Sequence, residues 1–127
     1  MREILFRGRR SNGEWVEGLP MIYGDCAFIC IPGTYTVTIT PETLGQYTGL
    51  KDRKGQKIFE GDICRNTGTG ETVSVKWHGT MAGYIWSKRQ PTGYLYDFGE
   101  LFRAFDKYEV IGNIYDNPEL LQEVGQE

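Results

Sequence analysis

The sequence predicts a mainly β protein: a small barrel-like or sandwich β domain with one or two short helices, one of them C-terminal. The 127 residues include 17 glycines, 8 tyrosines, 6 phenylalanines and 3 tryptophans. Glycine favours turns, whereas aromatic residues favour pleated, half-buried surfaces. In addition, short strand-like segments recur about every 8–12 residues with turn signals between them. The length fits a single domain over residues 1–127, with a core at about 2–116 and a helical tail at about 117–127.

Turn residues and two-residue alternation divide the first half of the chain into strands and one helical turn. A first strand over 3–7 is closed by Gly8, and a hairpin over 21–31 turns at Gly24-Asp25. Residues 40–42 predict one turn of helix, with the Thr40 hydroxyl as its cap and a proline at its first position. The other extended segments of this half lie at 14–17, 34–39 and 46–49.

The second half of the chain is predicted to contain further strands and the C-terminal helix. The strand over 72–77 places Val73, Val75 and Trp77 on one face. Asn117 is the expected N-cap of the helix, because a proline follows it. Residues 100–105 fit either a short helix or a strand. Two short strands are predicted within 57–66, one on each side of Gly61. The remaining strands are predicted at 84–86, 94–98 and 108–115.

Composition limits the compartment and the cofactors. The chain has no run of about 18 apolar residues, and its first apolar stretch, Ile4 to Phe6, is too short for a signal-peptide core, so we expect a cytoplasmic protein without a membrane partner. The three cysteines, Cys26, Cys30 and Cys64, form no closed disulfide framework, and with the lone histidine they match no zinc spacing. We therefore expect small buried hydrophobic cysteines and no cofactor.

Two basic segments are candidate binding sites. Net charge is −3, but four of the acidic residues lie in the last twelve residues, so the rest of the chain has a charge of −3 + 4 = +1. Arginine and lysine contact phosphates, and aromatic rings stack on bases. Nucleic-acid contact is one interpretation, and ordinary solvated turns are the other. The candidate residues are Arg7, Arg9, Arg10 and Trp15 in one segment and Lys51, Arg53, Lys54 and Lys57 in the other.

Three further motifs favour structural interpretations over chemistry. Glu60 and Asp62 could bind a metal or act in acid–base catalysis, but Gly61 between them favours a turn in which Asp62 accepts backbone hydrogen bonds. The glycine-containing segment 67–70 lacks the lysine of a phosphate-binding loop, and we interpret it as a hairpin loop. His78 has no nucleophile at triad spacing, so we expect it at an exposed strand edge.

Three stretches resemble the YopX family of small phage- and prophage-encoded proteins. They are REILFRGRR with NGEWVEG near the start, LGQYTGLKDRKGQKIFEGDICR in the middle, and YEVIGNIYDNPELL near the end. The resemblance implies a mainly β fold with short helices, a phage or prophage origin and a bacterial cytoplasm. It implies neither an activity nor catalytic residues. The IFEGDI segment followed by a VSVKW strand is also similar to small SH3-like barrels, which is a likeness of fold alone.

Three functions therefore compete. The first is a non-enzymatic accessory protein that binds another protein or self-associates through its β surface, since aromatic residues and arginine are common interface anchors. The second is a nucleic-acid-binding module that uses the basic segments 7–10 and 51–57. The third, and the least favoured, is a metal-dependent hydrolase or nuclease built on Glu60 and Asp62.

Overall fold

The protein is mainly β. The computed structural model describes residues 3–78, 83–89, 95–100 and 105–122. Within these residues the backbone forms eleven strands in two antiparallel sheets, with one short α-helix and isolated 3-10 turns, which confirms the fold class. The chain divides into two compact units, residues 1–49 and 50–127. That residues 1–127 form one domain stays a prediction.

The first unit is an antiparallel sheet with the strand order β4-β3-β2-β1-β5. The Gly24-Asp25 turn joins β2 to β3, and Gly24 has a φ of 61°, so the predicted hairpin and its glycine are confirmed. Strand β5 continues past Gly49 into the second unit, where β6 pairs with it. The strands are β1 (Phe6–Arg9), β2 (Trp15–Tyr23), β3 (Cys26–Cys30), β4 (Thr36–Ile39), β5 (Gly45–Lys51) and β6 (Lys57–Phe59).

The core of the first unit lies on one face of β3 and β4. Ala27 is opposite Ile39 and Ile29 is opposite Val37, and all four side chains are buried. Directly opposite residues of an antiparallel pair point to the same side of the sheet, and successive residues alternate between the two sides. The residues between these four must therefore point to the other face.

Two glycines lie inside strands because neighbouring atoms leave no room for a side chain. Gly8 was predicted to close the first strand, but it is the third residue of β1, and a Cβ at this position would collide with the Ile39 side chain. Gly18 lies in the middle of β2, where a Cβ would collide with the backbone carbonyl oxygen of Cys30. These glycines permit close approach within the sheet rather than ending strands.

The predicted helical turn is present, but a different hydroxyl stabilises it. The 3-10 turn spans Pro41–Thr43, and the Thr40 side chain makes no capping hydrogen bond. Instead the Thr43 hydroxyl donates to the Thr40 carbonyl (2.6 Å) and accepts from the backbone N–H of Arg9 (2.9 Å). Thr40 is thus the N-cap residue, as predicted, but its hydroxyl does not make the expected capping bond. The bond from Arg9 to Thr43 attaches the turn to β1.

The second unit contains a five-stranded sheet with the order β10-β9-β8-β7-β11. Its core includes Ile58, Val73, Val75 and Trp86, and the Trp86 ring stacks on Tyr108 with a centroid distance of 4.1 Å. The elements are β7 (Asp62–Asn66), β8 (Thr72–His78), β9 (Gly83–Arg89), β10 (Leu95–Glu100), a 3-10 turn (Phe105–Lys107), β11 (Tyr108–Asn113) and the helix α1 (Glu119–Gln122).

Two features of the second unit add to the sequence prediction. Trp77 is half exposed, although Val73 and Val75 on the same strand face are buried. In the segment 100–105, Glu100 ends β10 and Phe105 begins a 3-10 turn, and residues 101–104 lie outside the described part of the chain.

The C-terminal helix is confirmed as α1, and residues 123–127 of the predicted helical tail lie outside the described residues. The expected cap at Asn117 behaves differently from the prediction. Its side chain accepts a hydrogen bond from the backbone N–H of Asn113 in β11 (3.2 Å). It therefore joins the segment before the helix to the sheet.

A buried carboxylate organises the turn between β5 and β6. Asp52 is almost fully buried. One of its oxygens accepts hydrogen bonds from the N–H groups of Lys54 (2.8 Å) and Gln56 (2.9 Å), and the other accepts from the N–H of Val110 in β11 (2.9 Å). Asp52 therefore fixes the turn and also attaches it to β11.

Replacement of Gly18 by alanine should destabilise the protein by about 2–3 kcal/mol, because the new Cβ would collide with backbone that cannot rotate away. Urea unfolding followed by circular dichroism measures this change. Gly68→Ala is the matched control, since a Cβ there would be 3.4 Å from its nearest neighbour and φ is not left-handed. Equal stability of the two variants would contradict the close approach at Gly18.

Replacement of Asp52 by alanine should lower the free energy of unfolding by about 3 kcal/mol, because three backbone N–H groups lose their acceptor. Asp52→Asn should lower it by about 1–2 kcal/mol, because the amide oxygen still accepts on one side. The same urea titration measures both variants. The exposed Asp106→Ala should stay within about 0.5 kcal/mol of the parent protein. An alanine variant as stable as this control would show that the three bonds contribute nothing.

Candidate protein-binding surface

The β2–β3 hairpin has an apolar face that points away from the core of the first unit. Leu19 is opposite Cys30, Met21 is opposite Phe28, and Tyr23 is opposite Cys26. These pairs alternate along the strands with the buried residues Ala27 and Ile29. We call this surface the outer face, and it consists of Leu19, Met21, Tyr23, Cys26, Phe28 and Cys30.

The outer face exposes an unusual amount of apolar surface. Leu19 and Met21 are each 50% exposed, and Tyr23 is 81% exposed. The three residues occupy every second position of one strand, so their side chains are neighbours on one surface. Single exposed apolar residues need no explanation, but adjacent ones in a row are typical of interaction sites.

Charge is almost absent from the hairpin that carries the outer face. Residues 18–41 contain one charged side chain, Asp25, and it lies exposed at the tip of the hairpin. The centres of protein–protein interfaces are depleted of charged residues and enriched in tyrosine, phenylalanine and methionine. The composition of the outer face matches this pattern.

The first basic segment borders the outer face. Arg9 is opposite Trp15, and Arg7 is opposite Glu17. The guanidinium carbon of Arg7 lies 4.7 Å from the centre of the Trp15 ring, and that of Arg9 lies 6.0 Å from it. Both distances are within the range of cation–π attraction. The structure thus brings Arg7, Arg9 and Trp15 together, and it places them on the same side of the sheet as the outer face.

Arg10 does not join this cluster. Its guanidinium is 3.0 Å from the carboxylate of Glu14 across the turn between β1 and β2. The pair is largely exposed, so it contributes little to stability. In the first basic segment, Arg7, Arg9 and Trp15 therefore form one cluster, and Arg10 lies in the adjacent turn.

The second basic segment surrounds the turn that Asp52 organises. Lys51 ends β5, and Lys57 begins β6. Arg53 and Lys54 are exposed in the turn, and the Lys54 ammonium is 3.9 Å from the carboxylate of Glu109. The two basic segments belong to different units of the chain.

The structure favours the turn interpretation of the Glu60-Gly61-Asp62 motif. Gly61 has a φ of 92°, and Asp62 is 1% exposed. The Asp62 carboxylate accepts a hydrogen bond from the backbone N–H of Phe59 at 2.7 Å, as the sequence predicted. Among the residues that the structure describes, no three His, Cys, Asp or Glu side chains are grouped so that they could hold a metal ion.

The segment 67–70 is a hairpin loop, as expected. It connects β7 to β8, and the Asn66 side-chain oxygen accepts hydrogen bonds from the N–H groups of Gly68 (2.8 Å) and Thr69 (3.1 Å). The sequence analysis missed the role of Asn66, although asparagine before a glycine turn is a known signal. His78 is the last residue of β8, and its side chain lies outside the described part of the structure.

The cysteines differ from the prediction that all three are buried. Cys64 is fully buried, whereas Cys26 and Cys30 are exposed on the outer face. The prediction was wrong for these two because Ala27 and Ile29 occupy the inward positions of β3. In β3 every residue is apolar, so alternation alone could not tell which set faces the core.

Comparisons with known proteins identify the family. A family model described as "YopX protein" matches residues 21–122. The chain belongs to the YopX family. In the crystal structure of protein EF1440 from Enterococcus faecalis a similar fold is seen, with 23% sequence identity, a TM-score of 0.55, and coverage of 95% of this chain and 99% of that one. At this identity the likeness shows the fold alone. None of the curated proteins matches the chain significantly. In the described part of this YopX protein, no helix is long and apolar enough to span a membrane.

The exposure of the outer face can be tested with its own thiols. In the native protein a thiol reagent such as Ellman's should titrate two cysteines promptly, because Cys26 and Cys30 are exposed, and the third only in guanidinium chloride, because Cys64 is buried. Cys26→Ser and Cys30→Ser should each lower the native count by one. A native count of three or of zero would contradict the described hairpin.

Proposed function

We propose that this YopX protein is a non-enzymatic phage or prophage accessory protein that binds a protein partner in the bacterial cytoplasm. The observation that carries the proposal is the outer face, a contiguous exposed apolar surface without charge at its centre. The family membership and the similar structure support the fold, and the proposal of binding rests on the surface itself.

The energetics favour this use of the surface. Complete burial of a leucine or methionine side chain stabilises a complex by about 1.5–3 kcal/mol. In the free protein, half of the Leu19 and Met21 side-chain surface is still exposed to water, and most of the Tyr23 surface is exposed. A partner that covered these three would therefore gain several kcal/mol from apolar burial, which is enough to anchor a standard interface.

The rim of the surface adds a polar contribution. Arg9 and Trp15 lie partly exposed at one end, with the partly buried Arg7 over the Trp15 ring, so a partner would meet a cationic and aromatic rim beside the apolar centre. Arginine and tryptophan are enriched among residues that dominate binding energy. The arrangement of an apolar centre and a polar rim is that of a protein interface.

Nucleic-acid binding through the same cluster is the second candidate. Arginine beside tryptophan favours it, since bases stack on aromatic rings. The position of the Arg7 guanidinium over the Trp15 ring counts against it, because the guanidinium covers one face on which a base would stack. The apolar centre also offers nothing to phosphate groups. Nucleic-acid binding is therefore the less favoured function, and nuclease treatment in the experiment below distinguishes it from protein binding.

A photo-crosslinking experiment tests the proposed function. In Cys30→Ser protein, benzophenone maleimide attached to Cys26 should crosslink a protein in extracts of the expressing cells, and nuclease treatment should leave the product unchanged, because an apolar face binds protein. The crosslinked protein, whether another chain or a second copy, is then purified and its affinity measured. Met21→Glu should weaken binding at least about tenfold, because it places a charge in the apolar centre.

The control variant lies on the same strand. Ile22→Glu changes the next residue, which is 67% exposed but points to the opposite side of the sheet, so it should alter the affinity less than about twofold. Equal loss in both variants would contradict a role for the outer face. A product that disappears with nuclease and weakens with Arg9→Glu would replace protein binding by nucleic-acid binding.

A further inference from the structure

We propose that the partner on the outer face is a second copy of this chain, docked face to face about a two-fold axis near Pro20. This inference rests on the proposed function, because it names the occupant of the same surface. A two-fold interface sets a surface against itself, so the surface must be self-complementary. The charge pattern of the hairpin meets that requirement.

The centre of the face offers no repulsion to a copy of itself. Like charges brought together across a symmetric interface would cost free energy. Here the centre is formed by Leu19, Met21 and Phe28, and the single charge of residues 18–41 lies at the hairpin tip. Two such centres can therefore meet apolar against apolar.

The two ends of the face carry opposite charge. At the tip, Asp25 contributes one negative charge. At the other end of β2, Arg7, Arg9 and Glu17 share the outward side of the sheet, which leaves that end with a net charge of +1 − 1 + 1 = +1. A two-fold axis midway between the ends brings the tip of each copy to the basic end of the other, so the attraction occurs twice.

The charges also select the position of the axis. With the axis at Pro20, Asp25 of one copy lies beside the end of β2 where Arg9 is opposite Trp15. With the axis at Met21, Asp25 would face Glu17 instead, and two negative charges would meet in each half. The first arrangement is therefore favoured over the second.

The size of the surface sets the strength of association. The nine residues of β2 span about 30 Å. Since β1 pairs with residues 15–18 of β2 and β3 pairs with residues 19–23 on its other edge, the face is two strands wide, about 10 Å. The contact area is then roughly 300 Å² per copy, well under half the usual share of a standard interface. We therefore expect a reversible dimer with a Kd of about 100 μM rather than an obligate one.

Charge exchange between the two ends is the decisive experiment. Sedimentation velocity of the full chain, in reducing buffer and from about 1 μM to 1 mM, gives the dimer Kd. Asp25→Arg and Arg9→Asp should each raise the Kd at least about tenfold, because each places like charges together twice. The double variant should return the Kd to within about threefold of the parent value, because the attraction is restored with its sign reversed.

Two controls accompany the charge exchange. Glu42→Arg makes the same change of charge as Asp25→Arg at an exposed position outside the hairpin, and it should leave the Kd within about twofold. Ile22→Glu should do the same, whereas Met21→Glu should abolish the dimer in this range. Circular dichroism confirms that every variant is folded, and all the altered residues are at least partly exposed.

Three results would overturn the inference of a symmetric dimer. They are a parent protein that is monomeric at 1 mM, a dimer that persists in Met21→Glu, and a charge-exchanged double variant whose Kd does not return towards the parent value. The proposed function is tested separately by the crosslinked partner. If that partner is a different chain whose binding needs Met21, the proposed function stands and self-association falls; if no protein is captured by the outer face, both fall.

Discussion

The two-residue period of a β-strand is the constraint on which this structure depends. Once Ala27 and Ile29 face the core of the first unit, the other residues of β3 must face outward, whatever their polarity. The same period turns Leu19 and Met21 of β2 outward. The sequence of the hairpin is apolar at both sets of positions, so burial of one face leaves the other exposed. The outer face is thus a direct consequence of how the core is built.

Side chains that accept backbone hydrogen bonds hold the turns of the second unit. Asp52, Asp62 and Asn66 each satisfy N–H groups close to a turn, and the Asn113 oxygen accepts from the N–H groups of Tyr115 and Asp116 at 3.0 and 2.9 Å. Such bonds are needed because turn amides have no ladder partner. Asp52 and Asp62 lie in the central stretch that resembles the YopX family, and both carboxylates accept backbone hydrogen bonds.

The sequence was sufficient for the fold class and for most turns, because glycine, proline and alternation act locally. It predicted the Gly24 turn and the Asp62 hydrogen bond, both of which depend on neighbours within a few residues. It failed where distant contacts decide. Gly8 lies inside a strand because Ile39 packs against it, and the exposure of Cys26 depends on which side of β3 meets β4. The single charge in residues 18–41 was visible from the start, and it is the signal that could have located the outer face.

The family assignment leaves the partner open. The matched region, residues 21–122, includes most of the hairpin that carries the outer face, but the match shows the fold and names no partner. The positions that hold the fold are distinct from those that the outer face exposes: Gly18 makes room for the Cys30 carbonyl, and Asp52 fixes the turn between β5 and β6. Neither residue contributes a side chain to the outer face. A fold does not by itself define a binding function, so the partner has to be established from the exposed side chains of the hairpin.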